Sequence, residues 1–254
     1  MEDVYVIPDH CNALMSHFFA YTLPYLKKIP PGSNFTIIHT KFDINDPKFS
    51  FVKQTLNLIN TYNFVEDATG YNSIIMREDV TAVADVDFKF IRELLPSEKC
   101  NLTDSKVYIS RNKFLNTHVW ESKVRNIINE DEMYENILKP LGFNKVYLED
   151  LNMLDKLILA RTSKVIISSP GSQLIFLSIF ANENTKIIEF DHDVTFYIHV
   201  RTACEKLNIL YYNYSKISKI DPFTGTISEL PMLMHYNIVV NDLDNLREFI
   251  KKII

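Results

Sequence analysis

Lys164 to Phe180, KVIISSPGSQLIFLSIF, runs from a β-branched strand through a short turn of small residues into an apolar helix. That succession aims backbone N–H groups and the positive end of a helix dipole at whatever lies above the turn. This is the chemistry of anion binding, and a phosphate is its natural occupant. Ser169, Ser172 and Gln173 flank Gly171 with side chains that could add hydrogen bonds. The same string also suits an ordinary strand-to-helix connection, and the turn alone does not decide between the two.

Two arginines stand where they could complete such a site. Arg111 directly follows the strand-like KVYIS, and Arg125 precedes a helix start at Asn129. A guanidinium matches a diphosphate in bidentate geometry, so both are candidates for neutralising one; a solvated surface side chain is the alternative for each. Glu189 closes the strand TKIIEF, where a carboxylate can accept hydrogen bonds from a ribose or simply edge the sheet. Asp191 and Asp193 spell D-x-D, the diphosphate and metal motif of another transferase architecture, but Asp85/Asp87 and Asp242/Asp244 share that spacing, which marks all three as coincidence. For a general base, the first third of the chain offers Asp9, His10, His17, Glu66, Asp67, Glu78 and Asp79, most at strand ends or helix starts. The other histidines show no metal-ligand spacing such as H-E-x-x-H, so no metal is expected.

Glycine usage removes whole classes of site. Gly32, Gly70, Gly142, Gly171 and Gly225 lie too far apart for any motif that needs two glycines close together. Dinucleotide-binding G-x-G-x-x-G, the Walker A loop, the kinase glycine-rich loop and the G-x-S-x-G nucleophile elbow are therefore excluded. Cys11, Cys100 and Cys204 form no C-x-x-C pair, which indicates neither a zinc cluster nor a disulfide framework and fits a reducing, cytoplasmic setting. A net charge of −5 argues against a general nucleic-acid binder. MEDVYVIPDH does not read as a secretory leader, and no run reaches the roughly 18 apolar residues of a membrane span.

The elements that must hold these residues alternate. Strands are expected at Val4 to Ile7, Phe35 to His39 and Ser73 to Met76, with helices at Met15 to Lys28 and Lys48 to Tyr62 between them. Further on, the pattern predicts a helix at Phe88 to Leu95 and strands at Lys106 to Ser110, Lys145 to Leu148, Lys164 to Ile167 and Thr185 to Phe190. Asn129 with Glu132 reads as a capping box, stopped by Gly142. Asn152 reads as the cap of a helix with Leu154, Leu157 and Ile158 on its apolar face, and a helix spans Gln173 to Phe180. A late strand, Asn237 to Val240, precedes a terminal helix from Asp242. This is an α/β protein with largely parallel sheets. Its 254 residues make one large domain or two small lobes at about 150 residues per domain.

An ordered series now acquires meaning. ISR at Ile109 to Arg111, Arg125 followed by NEDE at Asn129 to Glu132, LGF at Leu141 to Phe143, YLEDL at Tyr147 to Leu151, VIISSPGSQL at Val165 to Leu174 and IIEF at Ile187 to Phe190 together resemble the family 61 glycosyltransferases. SHFFAYTLPYL, Ser16 to Leu26, is similar to that family's early histidine-containing helix. One departure stands out: Pro170 precedes Gly171 where family members commonly carry histidine, which leaves a backbone cradle but no catalytic side chain from the turn.

The resemblance implies an α/β fold of two Rossmann-like lobes facing a cleft, of the GT-B type. An acceptor-binding lobe would span residues 1–95 and a nucleotide-sugar-binding lobe residues 96–240, followed by a C-terminal helix at 241–254. It also implies inverting transfer from a nucleotide sugar, a UDP-sugar by family likeness, to a glycan or protein-linked sugar hydroxyl, with no metal and no cofactor. Arg111 and Arg125 would bind the diphosphate, Ser169, Gly171, Ser172 and Gln173 would cradle it, Glu149, Asp150 and Leu151 would lie near the base, and Glu189 near the ribose. The proton acceptor would be Asp9, His17 or Asp79. The partners are then a nucleotide-sugar donor and a glycan or glycoprotein acceptor, with no nucleic acid and no membrane span. Two other classes stay open: a metal-dependent transferase using Asp191 and Asp193, and a non-catalytic sugar- or nucleotide-binding module.

Overall fold

A computed structural model describes residues 2–8, 18–38, 50–66, 68–76, 86–96, 103–114, 125–190, 198–220 and 236–254. The first sheet is built from β1 (Asp3–Pro8), β2 (Asn34–Ile38), β3 (Asn63–Phe64) and β4 (Asn72–Ile75). Its order is β3-β2-β1-β4 and every pairing is parallel, with Tyr5 opposite Phe35 on one side and Ile74 on the other. Val4, Val6 and Ile7 are all buried, the continuous apolar reading expected of a parallel strand covered on both faces.

Between β1 and β2 the expected long helix is divided into a π-helical turn, Phe18–Thr22, and a 3₁₀ helix, Leu23–Lys28. Pro24 is the reason: it has no N–H to give an α-helical ladder, and its ring crowds the preceding turn. Two helices follow from the same half of the chain, α1 (Ser50–Leu58) and α2 (Phe88–Leu94). The Asp87 side chain caps α2 by accepting from the Phe90 N–H at 3.0 Å.

The second sheet contains β5 (Lys106–Ile109), β6 (Phe143–Val146), β7 (Val165–Ser168), β8 (Lys186–Glu189) and β9 (Leu210–Asn213). It is again wholly parallel, in the order β6-β5-β7-β8-β9. Two parallel sheets flanked by helices make this a Rossmann-like α/β fold, as the alternation of the sequence predicts. The helices around the second sheet are α3 (Glu130–Met133), which continues as a π-helical turn to Leu138, α4 (Met153–Thr162), α5 (Ser172–Phe180) and α6 (Ile198–Lys206). The chain then forms β10 (Ile217–Ile220), antiparallel to β11 (Asn237–Val240), and ends in α7 (Leu243–Ile253).

Side chains of the second sheet alternate between two apolar layers. Val107, Ile109, Ile166 and Ile187 face a core that extends without interruption to Ile7 and Phe35 of the first sheet. Within this layer Phe19 meets Phe176 at 5.2 Å and Phe180 at 5.7 Å between ring centroids. Helix α5 is buried from Leu174 to Phe180, as suits a helix that is apolar all round. Tyr108, Val165, Ile167 and Ile188 face the other layer, closed by Met133, Ile238, Leu246 and Ile250.

Two further expectations need correction. The capping box at Asn129 does not form; its side chain instead donates to Val240 O and accepts from Val240 N, both at 3.0 Å. The Asn152 cap is present, accepting from Asp155 N at 2.9 Å, but the buried face of α4 is Met153, Lys156, Leu157 and Ala160. Leu154 and Ile158 are exposed. Spacings of three and four from Met153 define one stripe, and Leu154 and Ile158 lie beside it.

Candidate functional site

Strands β5 and β7 are neighbours in parallel register, Ile109 opposite Ser168, so both end at the same edge of the sheet. From β5 the chain crosses to β6 on one side; the following strand, β7, returns to the other. The connections leaving β5 and β7 therefore diverge, and an open α/β sheet has its ligand crevice at that reversal. Arg111 lies just beyond β5, and Ser169 and Gly171 just beyond β7.

The turn after β7 is enclosed, with Ser169 and Gly171 buried and Ser172 and Gln173 half-buried. Gly171 adopts an extended φ of 165°, which any residue tolerates. What glycine provides there is room for an arginine head group. A Cβ at this position would stand 2.7 Å from Arg111 Nη1, 3.5 Å from Arg111 Cζ and 4.0 Å from Arg125 Nη1. Two guanidinium groups thus converge on one backbone position at the start of α5. That helix has no side-chain cap and no acidic residue in its first turn, which leaves its positive end facing the arginines. Positive charge gathered this closely favours an anion, and the paired forks of arginine match the oxygens of a diphosphate.

The neighbouring turns supply the rest. Ser110 is fully buried, its N–H reaching Val146 O at 3.0 Å and its Oγ accepting from Asn112 N at 3.2 Å. The Leu148–Asp150 turn after β6 brings Glu149 Oε1 to Gln173 Nε2, 2.7 Å apart, and pairs Asp150 with Lys113. Leu151 packs against the larger core. The Oε1 of Gln173 is buried and has no hydrogen-bond partner among the described residues. Glu189 is fully buried rather than an edge carboxylate, and its Oε2 accepts from the Tyr211 hydroxyl at 2.8 Å. Its strand is interior, between β7 and β9.

Arg111, Arg125 and Gly171 are thus brought together, with Ser172 and Gln173 opening α5 directly after them. Glu149 joins this group through Gln173, and Asp150 is carried by the same turn. Asp9, His10, His17, Asp67, Glu78 and Asp79, like Asp191 and Asp193, lie outside the described residues. Glu66 is exposed and paired with Lys53 at 2.5 Å. Among the described residues no group of three or more His, Cys, Asp and Glu side chains could hold a metal ion.

Two contributors were not anticipated. Lys113 holds Asp150 and lies 6.0 Å from the Tyr147 ring. Lys156 is buried on α4; burial pushes its ammonium pKa down, against the upward pull of the Glu149 charge. The buried stripe beginning at Met153 was the signal that could have found it. Gln54 of α1 reaches the same helix, its Oε1 accepting from Met153 N at 2.8 Å, so a side chain from the first half of the chain ends beside the site's supporting helix.

The chain matches a known family. The family described as Glycosyltransferase 61 matches residues 15–188, most of the chain and all of β5 to β7 with their connecting turns. No curated protein matches it.

Proposed function

From a chain that belongs to the glycosyltransferase 61 family and is therefore a glycosyltransferase, we propose a metal-independent, inverting transfer of a sugar from a UDP-sugar to a glycan or protein-linked sugar hydroxyl. The observation that carries this reading is the convergence of Arg111 and Arg125 on Gly171 at the start of α5. The donor diphosphate lies there, with Ser169, Ser172 and Gln173 around it and Glu189 toward the ribose. Residues 96–240 form the donor lobe, residues 1–95 the acceptor lobe, and residues 241–254 a closing helix. No described helix is long and apolar enough to cross a membrane, and the cysteine pattern supports a cytoplasmic setting.

The reaction is an in-line displacement. The acceptor oxygen attacks the anomeric carbon from the face opposite the leaving group while the bond from that carbon to the diphosphate oxygen breaks, inverting the centre. The hydroxyl proton passes to Asp9, His17 or Asp79. Negative charge grows on the departing diphosphate, where the two guanidinium groups and the α5 N–H groups already point, so no reorganisation is needed at the moment of reaction. Those fixed cations take the charge-neutralising part that a divalent ion plays in other transferases.

Thermal stabilisation tests the site directly, because a ligand that binds only the folded state raises the melting temperature. UDP, GDP, CMP and a panel of UDP-sugars are compared with and without EDTA. A rise with UDP or one UDP-sugar that survives EDTA is expected and names the donor. A rise abolished by EDTA would replace the metal-free reading with a metal-dependent one, and no rise with any nucleotide would remove the diphosphate assignment.

A further inference from the structure

Arg125 has a backbone φ of +62°, in the left-handed region that a long L side chain rarely occupies. Asn208 is the other non-glycine residue with positive φ among the described residues, and asparagine tolerates that region far better. A conformation of this kind persists only where the surroundings over-determine it, and here they can be named. The Arg125 N–H donates to Tyr236 O at 2.5 Å, and the next N–H, of Asn126, donates to the side-chain Oδ1 of Asn237 at 3.1 Å. Ile238 N reaches Asn126 O and Ile128 N reaches Ile238 O, each at 2.8 Å. The two 3.0 Å bonds of the Asn129 side chain to Val240 close the series. From the other side, Asn112 Nδ2 holds Ile127 O at 2.9 Å, tying the segment to the turn that follows Arg111.

Residues 125–129 are therefore held beside β11, with a single parallel bridge between Ile127 and Ile238. Strand β11 is itself anchored, since Ile238 and Val240 are buried in the second core and β10 pairs along it. Tyr236 to Val240 lie beyond residues 15–188, the part of the chain that the family match covers. The family-matched region supplies the arginine, and a later segment supplies the conformation that carries its guanidinium to Gly171.

We propose that β11, acting through the Asn237 side chain, is a positioning device for Arg125, so that affinity for the nucleoside diphosphate is set in part from outside the family-matched region. Asn237 touches neither donor nor acceptor; it fixes the peptide that follows Arg125. This rests on the diphosphate reading of the Arg111–Arg125 pair.

The experiment is calorimetric titration of UDP into the full chain and its variants. Arg125→Ala is expected to weaken UDP binding about tenfold, and Asn237→Ala to weaken it by a similar factor. The double variant should be no weaker than Arg125→Ala alone, because a positioning residue has nothing left to position. Asn237→Asp, which keeps an accepting oxygen, should stay within about threefold of the wild type. If Arg125→Ala weakens UDP and Asn237→Ala does not, or if the two losses multiply, the positioning role is overturned while the diphosphate site stands. If Arg125→Ala leaves UDP binding unchanged, the site reading itself fails, and this inference with it. Should Asn237→Ala not fold, the melting temperatures of Arg125→Gly and Arg125→Ala decide. Glycine relieves a left-handed backbone and should melt higher; a glycine variant melting no higher would overturn the strained geometry on which the device depends.

Discussion

Arg111 lies so close over Gly171 that a methyl group added to the glycine would stand 2.7 Å from its Nη1. The clash would fall on the far end of a flexible side chain, and the glycine φ of 165° is open to any residue. Gly171→Ala should therefore fold as the wild type does while displacing the guanidinium. The expected result is a melting temperature within a few degrees of the wild type and UDP binding weakened about tenfold or more. Unaltered UDP affinity would mean that the close approach has no part in donor binding.

Arg111 itself should matter more than its neighbour, because it follows the interior strand β5 and lies closest to the turn. Removing one preorganised donor from a site of growing negative charge costs on the order of 10² to 10³ in turnover. Arg111→Ala should lower sugar transfer by that order without unfolding the chain. Arg111→Lys should recover only part of it, since an ammonium cannot make the paired contacts of a guanidinium. Full activity in the alanine variant would take Arg111 out of the mechanism.

The parts of this site that could be read from sequence are those whose chemistry is local. Gly171 stands between a β-branched strand and an apolar helix, and Arg111 closes a strand, so a few adjacent residues reveal both. Asn129 shows the limit: with Glu132 three residues on it has the form of a capping box, yet its side chain bonds Val240, 111 positions away. Nothing local marks Asn237 as the partner of Asn126 either. Helix α4 misled for a related reason, because Lys156 takes a place on the buried stripe that an apolar residue would have revealed. Pro24 was visible, but an apolar run on both sides outweighed its effect on the helix that it divides. Strand β9 and helix α6 complete the second sheet without a distinctive pattern, since Leu210–Asn213 is a short strand with no fully buried side chain.

At the cap of α2, Asp87 accepts from Phe90 N and pairs with Lys27 Nζ at 2.5 Å. The Lys27 hydrogen bond, then that of Phe90, holds its carboxyl below the ordinary value of 3.8. A depressed carboxylate contributes stability that is present above its unfolded pKa and lost as pH falls through the folded one. Asp87→Ala should cost about 1 kcal/mol at neutral pH, the usual value of an N-cap. Its difference from the wild type should shrink as the solution is acidified below about pH 4. Urea melts at neutral and acid pH test this, and a difference that grows on acidification would contradict the assignment.

Tyr214 makes the opposite prediction at high pH. Its ring is buried in the second core, its hydroxyl donates to Asp242 O at 2.9 Å just before α7, and burial, with the Asp242 charge, pushes its pKa up to about 12. A phenol kept neutral by the fold contributes stability that is intact below its unfolded pKa of 10.0. Between pH 10 and about 12 the unfolded chain ionises while the folded one resists, and that contribution is lost. Tyr214→Phe should therefore be less stable at pH 7 by about 1 kcal/mol, the net value of one hydrogen bond. As pH rises through that window the wild type should lose stability faster than the variant, so that the gap between them closes. Chemical denaturation at pH 7, 10 and 11 measures it, and a gap that stays constant would show that the hydroxyl titrates as freely in the folded chain as in the unfolded one.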